Sequence, residues 1–124
     1  MHEVTLDEFE AMVRRGVEAL PEEFAGRIAN VEFSVEEWAQ PADYARETAR
    51  NATLLGVYRG VPLTRRGAYY NMISPDRIVL FRQPLQRMSR DAADLEARVH
   101  HVVRHEVAHY FGISDERLRE IGAY

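Results

Sequence analysis

The sequence contains no cysteine, which excludes disulfide bonds and thiolate metal sites. A bound metal would therefore need His, Asp or Glu ligands. Lysine is absent too: the 16 basic residues are all arginine, dispersed along a chain whose net charge is −4. A nucleic-acid-binding protein usually carries a clustered basic surface. We therefore expect no nucleic-acid partner.

Long apolar runs are also missing. No stretch approaches the roughly 20 apolar residues that a membrane-spanning helix needs. The first residues, Met1 to Thr5, do not form a basic region followed by an apolar one, as a secretory signal would. We expect a cytoplasmic protein with no membrane partner.

The composition that remains is that of a globular protein. Of its 124 residues, 46% are hydrophobic and 29% are charged, which is enough to form one hydrophobic core. No internal repeat or low-complexity segment interrupts the chain. We therefore predict a single domain over residues 1–124.

A helix is predicted near the start of the chain, over residues 6–20. Thr5 and Glu8 form a capping box before it, and Pro21 ends the pattern. Between these positions the apolar residues recur at helical spacing: Leu6, Phe9, Met12, Val13, Val17 and Leu20. This pattern is typical of an amphipathic helix.

The middle of the chain mixes strand and turn patterns. Residues 21–28 could form a short second helix, and residues 31–36 alternate apolar and polar side chains as in a half-buried strand. Residues 40–52 are polar and favour a loop that could contain one helical turn. Three strand-like runs follow, the last two joined by Ser74-Pro75-Asp76 as in an antiparallel hairpin: residues 54–63, 68–73 and 77–81.

A long helix is predicted from Asp91 to about Phe111, with Gly112 placed to end it. Its last turns contain the sequence His-Glu-Val-Ala-His, residues 105–109. Histidines four apart project from the same helix face, roughly 6 Å apart along the axis, and can bind one cation together. Glu106, about 100° further round the helix, could accept a proton from a water activated by that cation.

Chance is the alternative explanation for this pattern. The frequencies of His and Glu in this chain give roughly a 2% probability that it arises somewhere by accident. Apolar residues surround the motif and would bury the helix beneath a sheet: Val102, Val103, Val107, Ala108 and Phe111. This context favours a zinc site at His105 and His109.

The segment from His105 to Asp115 resembles the extended zincin signature, with Asp115 where metzincins carry a third histidine. Together with residues 54–63 and 76–81 it resembles the bacterial zincin-like minimal metallopeptidase family over about residues 31–121. The resemblance implies an α+β fold in which a small mixed sheet packs on the N-terminal helix and on the long helix with the motif. It also implies zinc as the metal and a peptidase activity on peptide or protein substrates.

Within this scheme Asp115 is the expected third metal ligand, because the chain can turn back toward the ion after Gly112. Asp115 could instead favour the N-terminus of a short last helix that Ser114 would cap. Glu116 and Glu120 are the substitute ligands. The sequence departs from metzincins, since every methionine, including Met72 and Met88, precedes the zinc motif.

Other candidates for site residues are weaker. His100 and His101 lie on the same predicted helix, but at a distance from the ion, and we interpret them as ordinary helix residues. Tyr58, Tyr69 or Tyr70 could stabilise an oxyanion, although tyrosines near strands are more often packing groups. None of the three is assigned that role.

The leading hypothesis is a zinc-dependent peptidase with His105, His109 and Asp115 as ligands and Glu106 as catalytic base. The alternative is a zinc-stabilised interaction or regulatory module without efficient catalysis, because 124 residues leave little wall for a substrate cleft. A zinc-dependent RNA-processing protein is a third class with a similar helix, but Glu106 and the acidic net charge count against it. The sequence does not determine the oligomeric state.

Overall fold

The computed structural model of the chain describes residues 2–46, 54–60, 76–113 and residue 116. In this part, the helices and strands follow one another along the chain in this order: α1 (Leu6–Glu18), α2 (Glu22–Ala25), β1 (Val31–Glu36), α3 (Pro41–Arg46), β2 (Gly56–Arg59), β3 (Asp76–Phe81), α4 (Arg82–Met88) and α5 (Ala92–Tyr110). The fold is α+β with a small mixed sheet, as predicted.

Helix α1 begins where its sequence indicates and ends at Glu18, two residues before the predicted end. The Thr5 hydroxyl accepts a hydrogen bond from the backbone N–H of Glu8 at 3.1 Å, which satisfies a donor that the first turn leaves unpaired. Its buried face packs against α5, and the helices approach closely at Gly16, where an added Cβ would lie 3.1 Å from the His100 ring. The Arg15 guanidinium also donates to both carboxylate oxygens of Glu96 on α5, at 2.6 and 2.8 Å.

Strand β3 lies at the centre of the sheet. It pairs in parallel with β1, with Val31 opposite Asp76 and Glu36 opposite Phe81, and antiparallel with β2, with Gly56 opposite Leu80. The predicted hairpin would have paired residues 68–73 with 77–81. Residues 68–73 lie outside the described part of the chain, and within that part the antiparallel neighbour of β3 is β2.

Both faces of the sheet are covered. Ile78 and Leu80 of β3 point into the main core with α1 and α5, whereas Val79 and Phe81 belong to a second cluster with Leu54, Val57 and Ala39. These four side chains of β3 have no exposed surface. A strand buried on both sides needs a continuous apolar run, and this explains why residues 78–81 show no polar alternation.

Two short helices differ from the sequence prediction. Helix α3 extends over six residues, longer than the single turn that we considered within a predicted loop. Helix α4 was not predicted, and it contains Pro84, a residue type that usually marks a break in a helix. Pro84 is the third residue of α4, where a backbone N–H has no partner within the helix, so its missing N–H costs little.

An ion cluster holds α3 to the sheet. The guanidinium of Arg59, on β2, donates to both carboxylate oxygens of Asp43 at 2.9 Å and to those of Glu36 at 2.8 and 3.0 Å. Asp43 is only 1% exposed. A buried carboxylate needs charged or hydrogen-bonding partners, and Arg59 supplies them for Asp43. Through these contacts the cluster links β1, β2 and α3 at one point. These paired carboxylates raise the pKa of Arg59 further above its ordinary value.

None of the helices in the described residues is long and apolar enough to cross a membrane.

Candidate metal centre

The helix that carries the candidate ligands has defined caps at both ends. At its start the Asp91 carboxylate accepts a hydrogen bond from the Asp94 N–H at 2.8 Å. At its end Gly112 adopts a φ of 78°, and the N–H groups of Gly112 and Ile113 donate to the carbonyls of His109 and Ala108, both at 2.9 Å. This is a Schellman motif, in which a left-handed residue ends the helix and satisfies its last carbonyls. The predicted role of Gly112 in ending the helix is confirmed.

The last two turns of α5 bring three potential ligands together. One ligand atom from each of His105, Glu106 and His109 lies within 4.8 Å of the other two. The two imidazole rings have centroids 4.5 Å apart and are inclined by 66°. Both histidines are half-buried, so their rings remain accessible at the surface of the helix. Such a pair of imidazoles suits zinc, which readily binds the ring nitrogen of neutral histidine.

Glu106 lies deeper than the two histidines and is 2% exposed. Its Oε2 atom lies 3.3 Å from Nδ1 of His109. This approach does not have hydrogen-bond geometry, and Oε2 is buried without a hydrogen-bond partner among the described residues. A buried carboxylate oxygen without such a partner is costly unless a positive charge or a donor compensates it. The ring nitrogens of the two histidines and this carboxylate oxygen therefore fit a cation beside His105 and His109.

Strand β2 covers Glu106. A Cβ atom placed on Gly56 would lie 3.7 Å from Cγ of Glu106 and 2.5 Å from Cγ1 of Val102, one turn earlier on α5. From the sequence we predicted residues 54–63 only as a strand-like run and missed this contact. The signal that could have revealed it is a glycine inside a strand pattern, which often marks a place where another element approaches closely.

His100 and His101 do not belong to the group of candidate ligands. Nε2 of His100 lies 3.1 Å from the Glu96 carboxylate, which already binds Arg15. The His101 ring is roughly parallel to that of His105, with centroids 6.3 Å apart. Partial burial, and then the positive charge of Arg104, lower the pKa of His101. Neither residue joins the ligand atoms of His105, Glu106 and His109.

Tyr58 is 7% exposed and packs against Tyr110 of α5, with ring centroids 5.7 Å apart in an edge-to-face arrangement. This position agrees with the interpretation of Tyr58 as a packing group. Tyr69 and Tyr70 lie outside the described residues.

The predicted third ligand, Asp115, also lies outside the described residues. Neither Asp115 nor the substitute Glu120 is described, and Glu116 is helical and exposed. The role of Asp115 therefore stays a prediction.

Comparisons with known proteins agree with this fold. No curated protein matches the sequence. The solved structure of a conserved hypothetical protein from Thermus thermophilus is similar, with a TM-score of 0.58 and 23% identity over 87% of this chain and 94% of the other; this likeness concerns the fold alone. The sequence model of the zincin-like metallopeptidases matches residues 28–123. The chain belongs to the zincin-like metallopeptidase family.

Proposed function

We propose that this protein is a zinc-dependent peptidase that hydrolyses peptide bonds in peptide or protein substrates. The observation that carries the proposal is the grouping of His105, Glu106 and His109 within 4.8 Å on one helix. Family membership supports the same reaction class. The Oε2 atom of Glu106, buried without a hydrogen-bond partner among the described residues, further supports a cation at this place.

Each residue has a distinct role in this proposal. His105 and His109 hold the metal through ring nitrogens, and Asp115 completes the protein ligands. When bound, zinc supplies Lewis acidity that favours deprotonation of water near neutral pH and polarises a carbonyl group. The Glu106 carboxylate accepts the proton and later returns it to the leaving amine. Its burial under β2 excludes bulk water from the carboxylate, which strengthens its electrostatic interactions.

A second function is favoured by the 3.3 Å distance between Glu106 Oε2 and His109 Nδ1, which is not a hydrogen bond in this structure but would become one after a small rotation of either side chain. Histidines that bind metals usually donate their other ring N–H to a carboxylate, which fixes the orientation of the ring. If Glu106 has this role, it supports the metal site but is not available as a base. The protein would then be a zinc-stabilised interaction or regulatory module without efficient catalysis.

The substitution Glu106→Gln separates the two functions. Gln keeps the shape of the side chain but cannot accept a proton. As a general base, Glu106 contributes about 10²- to 10⁴-fold to the rate, so we expect hydrolysis to fall by that factor while zinc stays stoichiometric. As a partner that orients His109, it should instead contribute about 10- to 100-fold to zinc affinity.

The experiment measures zinc content by elemental analysis and cleavage of a mixed peptide library by mass spectrometry. Untagged wild type, Glu106→Gln and chelator-treated wild type are compared side by side. Equal cleavage by wild type and Glu106→Gln would rule out the peptidase. Weak zinc binding by Glu106→Gln, together with no cleavage by wild type, would establish the second function instead.

A further inference from the structure

The place where β2 crosses α5 is unusually tight at Gly56. A Cβ atom there would lie 2.5 Å from Cγ1 of Val102 and 3.1 Å from the backbone carbonyl oxygen of Val79. Real Cβ atoms essentially never come within 3.0 Å of another heavy atom, and the Val79 oxygen belongs to the central strand and cannot rotate away. Since Gly56 does not have a positive φ, the position requires glycine for space rather than for backbone conformation.

Glu106 lies directly beside this contact. Val102 and Glu106 are four residues apart on α5, so both project toward the same part of β2. The next residue on the same face of β2, Tyr58, packs edge-to-face on Tyr110, a further four residues along α5. The inner face of β2 therefore meets three successive turns of the helix, and Glu106 occupies the middle turn opposite a residue with no side chain.

We propose that Gly56 is a positioning residue for Glu106. Because it has no side chain, it allows β2 to lie against α5 and keeps the Glu106 carboxylate buried beside His109. The catalytic meaning of this inference rests on the proposed function, in which Glu106 is the base. Its structural part concerns only the burial of Glu106 and can be tested without activity.

The substitution Gly56→Ala adds one methyl group at this contact. The strand must then move away from α5, since the Val79 carbonyl cannot yield, and water reaches Glu106. The heavy atoms nearest to the added methyl belong to Val102, Val79 and Glu106, so the two imidazoles should keep their positions. We therefore expect a local exposure of one carboxylate rather than a general loss of structure.

Carboxyl labelling with a water-soluble carbodiimide and an amine, followed by peptide mass spectrometry, measures this exposure. Asp43 provides a buried reference at the other end of β2, because it is 1% exposed and is held by Arg59, three residues after Gly56. We expect Gly56→Ala to increase the labelling rate of Glu106 by about tenfold relative to that of Asp43. Equal increases at both residues would indicate general destabilisation and would overturn the inference.

Two control variants sharpen the test. Gly26→Ala adds a methyl group where no heavy atom lies within 4 Å, so Glu106 labelling should not change. Val102→Ala removes the atom nearest to the added methyl and should partly reverse the effect of Gly56→Ala. If Gly56→Ala alone does not fold, the double variant is compared with Val102→Ala, since the Val79 carbonyl still obstructs the methyl at 3.1 Å.

Activity provides a separate measurement. In a zinc-loaded, active protein, Gly56→Ala should lower kcat and leave KM unchanged, because it moves the base and not the substrate contacts. A wild type without zinc or hydrolysis would contradict the proposed function but not the positioning of Glu106. Unchanged labelling and unchanged kcat in Gly56→Ala would overturn the inference, whatever the function.

Discussion

Glu106 combines three properties that rarely coexist at the level of a single residue. It is an acidic side chain, it is almost fully buried, and one of its oxygens has no hydrogen-bond partner among the described residues. An ionised carboxylate in such a place is expensive unless a positive charge lies beside it. Nδ1 of His109 approaches that oxygen to 3.3 Å. A divalent ion at the two histidines would therefore compensate Glu106 as well as bind its own ligands.

The identity of the third ligand leads to a prediction for Asp115. We expect Asp115→Ala to weaken zinc binding more than Glu116→Ala or Glu120→Ala, because loss of one of three protein ligands removes a coordinate bond. Zinc dissociation constants, measured against a competing chromogenic chelator, provide the comparison. The largest loss in Glu120→Ala would show that Asp115 is not the ligand. A small loss in Asp115→Ala, comparable with that of a removed outer partner, would indicate contact through a water.

Among the helices and strands, the end of α5 offers a prediction for Gly112. Its φ of 78° lies in the left-handed region, where a Cβ atom collides with the following carbonyl. We expect Gly112→Ala to lower the free energy of unfolding by about 1–2 kcal/mol. Urea denaturation of chelated protein measures this without a contribution from the metal.

Gly26→Ala is the matched control for that measurement. Gly26 has a φ of −74° and open space around its Cα atom, so alanine should be tolerated or slightly stabilising there. An equal loss of stability in the two variants would contradict the conformational argument for Gly112.

The predictions that the structure confirms depend on local signals. Helices α1 and α5 are determined by capping residues and by apolar spacing within a few turns, so Thr5, Asp91 and Gly112 could be recognised without knowledge of the fold. The grouping of His105, Glu106 and His109 is local in the same sense, because it lies within five consecutive residues on one helix.

Features that depend on distant parts of the chain could not be predicted. Nothing in residues 76–81 indicates that β1, some 45 residues earlier, lies beside them, since strand pairing carries no local code. The ion cluster of Arg59, Asp43 and Glu36 likewise joins residues from three elements. The contact of Gly56 with α5 is of this kind too, because a glycine inside a strand pattern signals a close approach but does not say which element approaches.

At the scale of the whole molecule, metal binding should raise the free energy of unfolding. An ion that binds only the folded protein raises the unfolding free energy by about 2.7 kcal/mol at a concentration one hundred times its dissociation constant. We expect a chelator to lower Tm by about 10 °C and zinc to restore it. Differential scanning calorimetry measures both steps, with His109→Ala as the control that should not respond.

The effect of zinc on Tm should also depend on pH. Imidazoles bind metal only when neutral and ordinarily take up a proton near pH 6.5, so the effect of zinc on Tm should disappear below about pH 6. A shift in Tm that does not change with pH would indicate ligands other than histidine.

Acid should destabilise the metal-free protein through its surface carboxylates. Hydrogen bonds from Arg82 lower the pKa of Glu37, and hydrogen bonds from Arg15 lower the pKa of Glu96. A carboxylate with a lower pKa in the folded state stabilises the protein above its unfolded pKa, and this contribution is lost as the pH falls through the folded value. Urea denaturation from pH 5 to 3 should therefore show decreasing stability.

Because both carboxylates are solvent-accessible, each should contribute less than about 1 kcal/mol. The double variant Glu37→Gln, Glu96→Gln should show a smaller decrease over the same pH range, and 1 M salt should reduce the wild-type decrease. An identical pH dependence in wild type and double variant would assign acid sensitivity to other groups.

The location of both imidazoles on α5 has a consequence for the order of events during refolding. Helices form in about a microsecond, whereas pairing β1 with β3 requires closure of a long loop and is much slower. A chain in which only the end of α5 has formed already presents His105 and His109 at their final spacing. An ion captured at that stage would hold two turns of helix together while the sheet assembles. The strand that carries Gly56 would then enclose Glu106 beside a metal that is already bound.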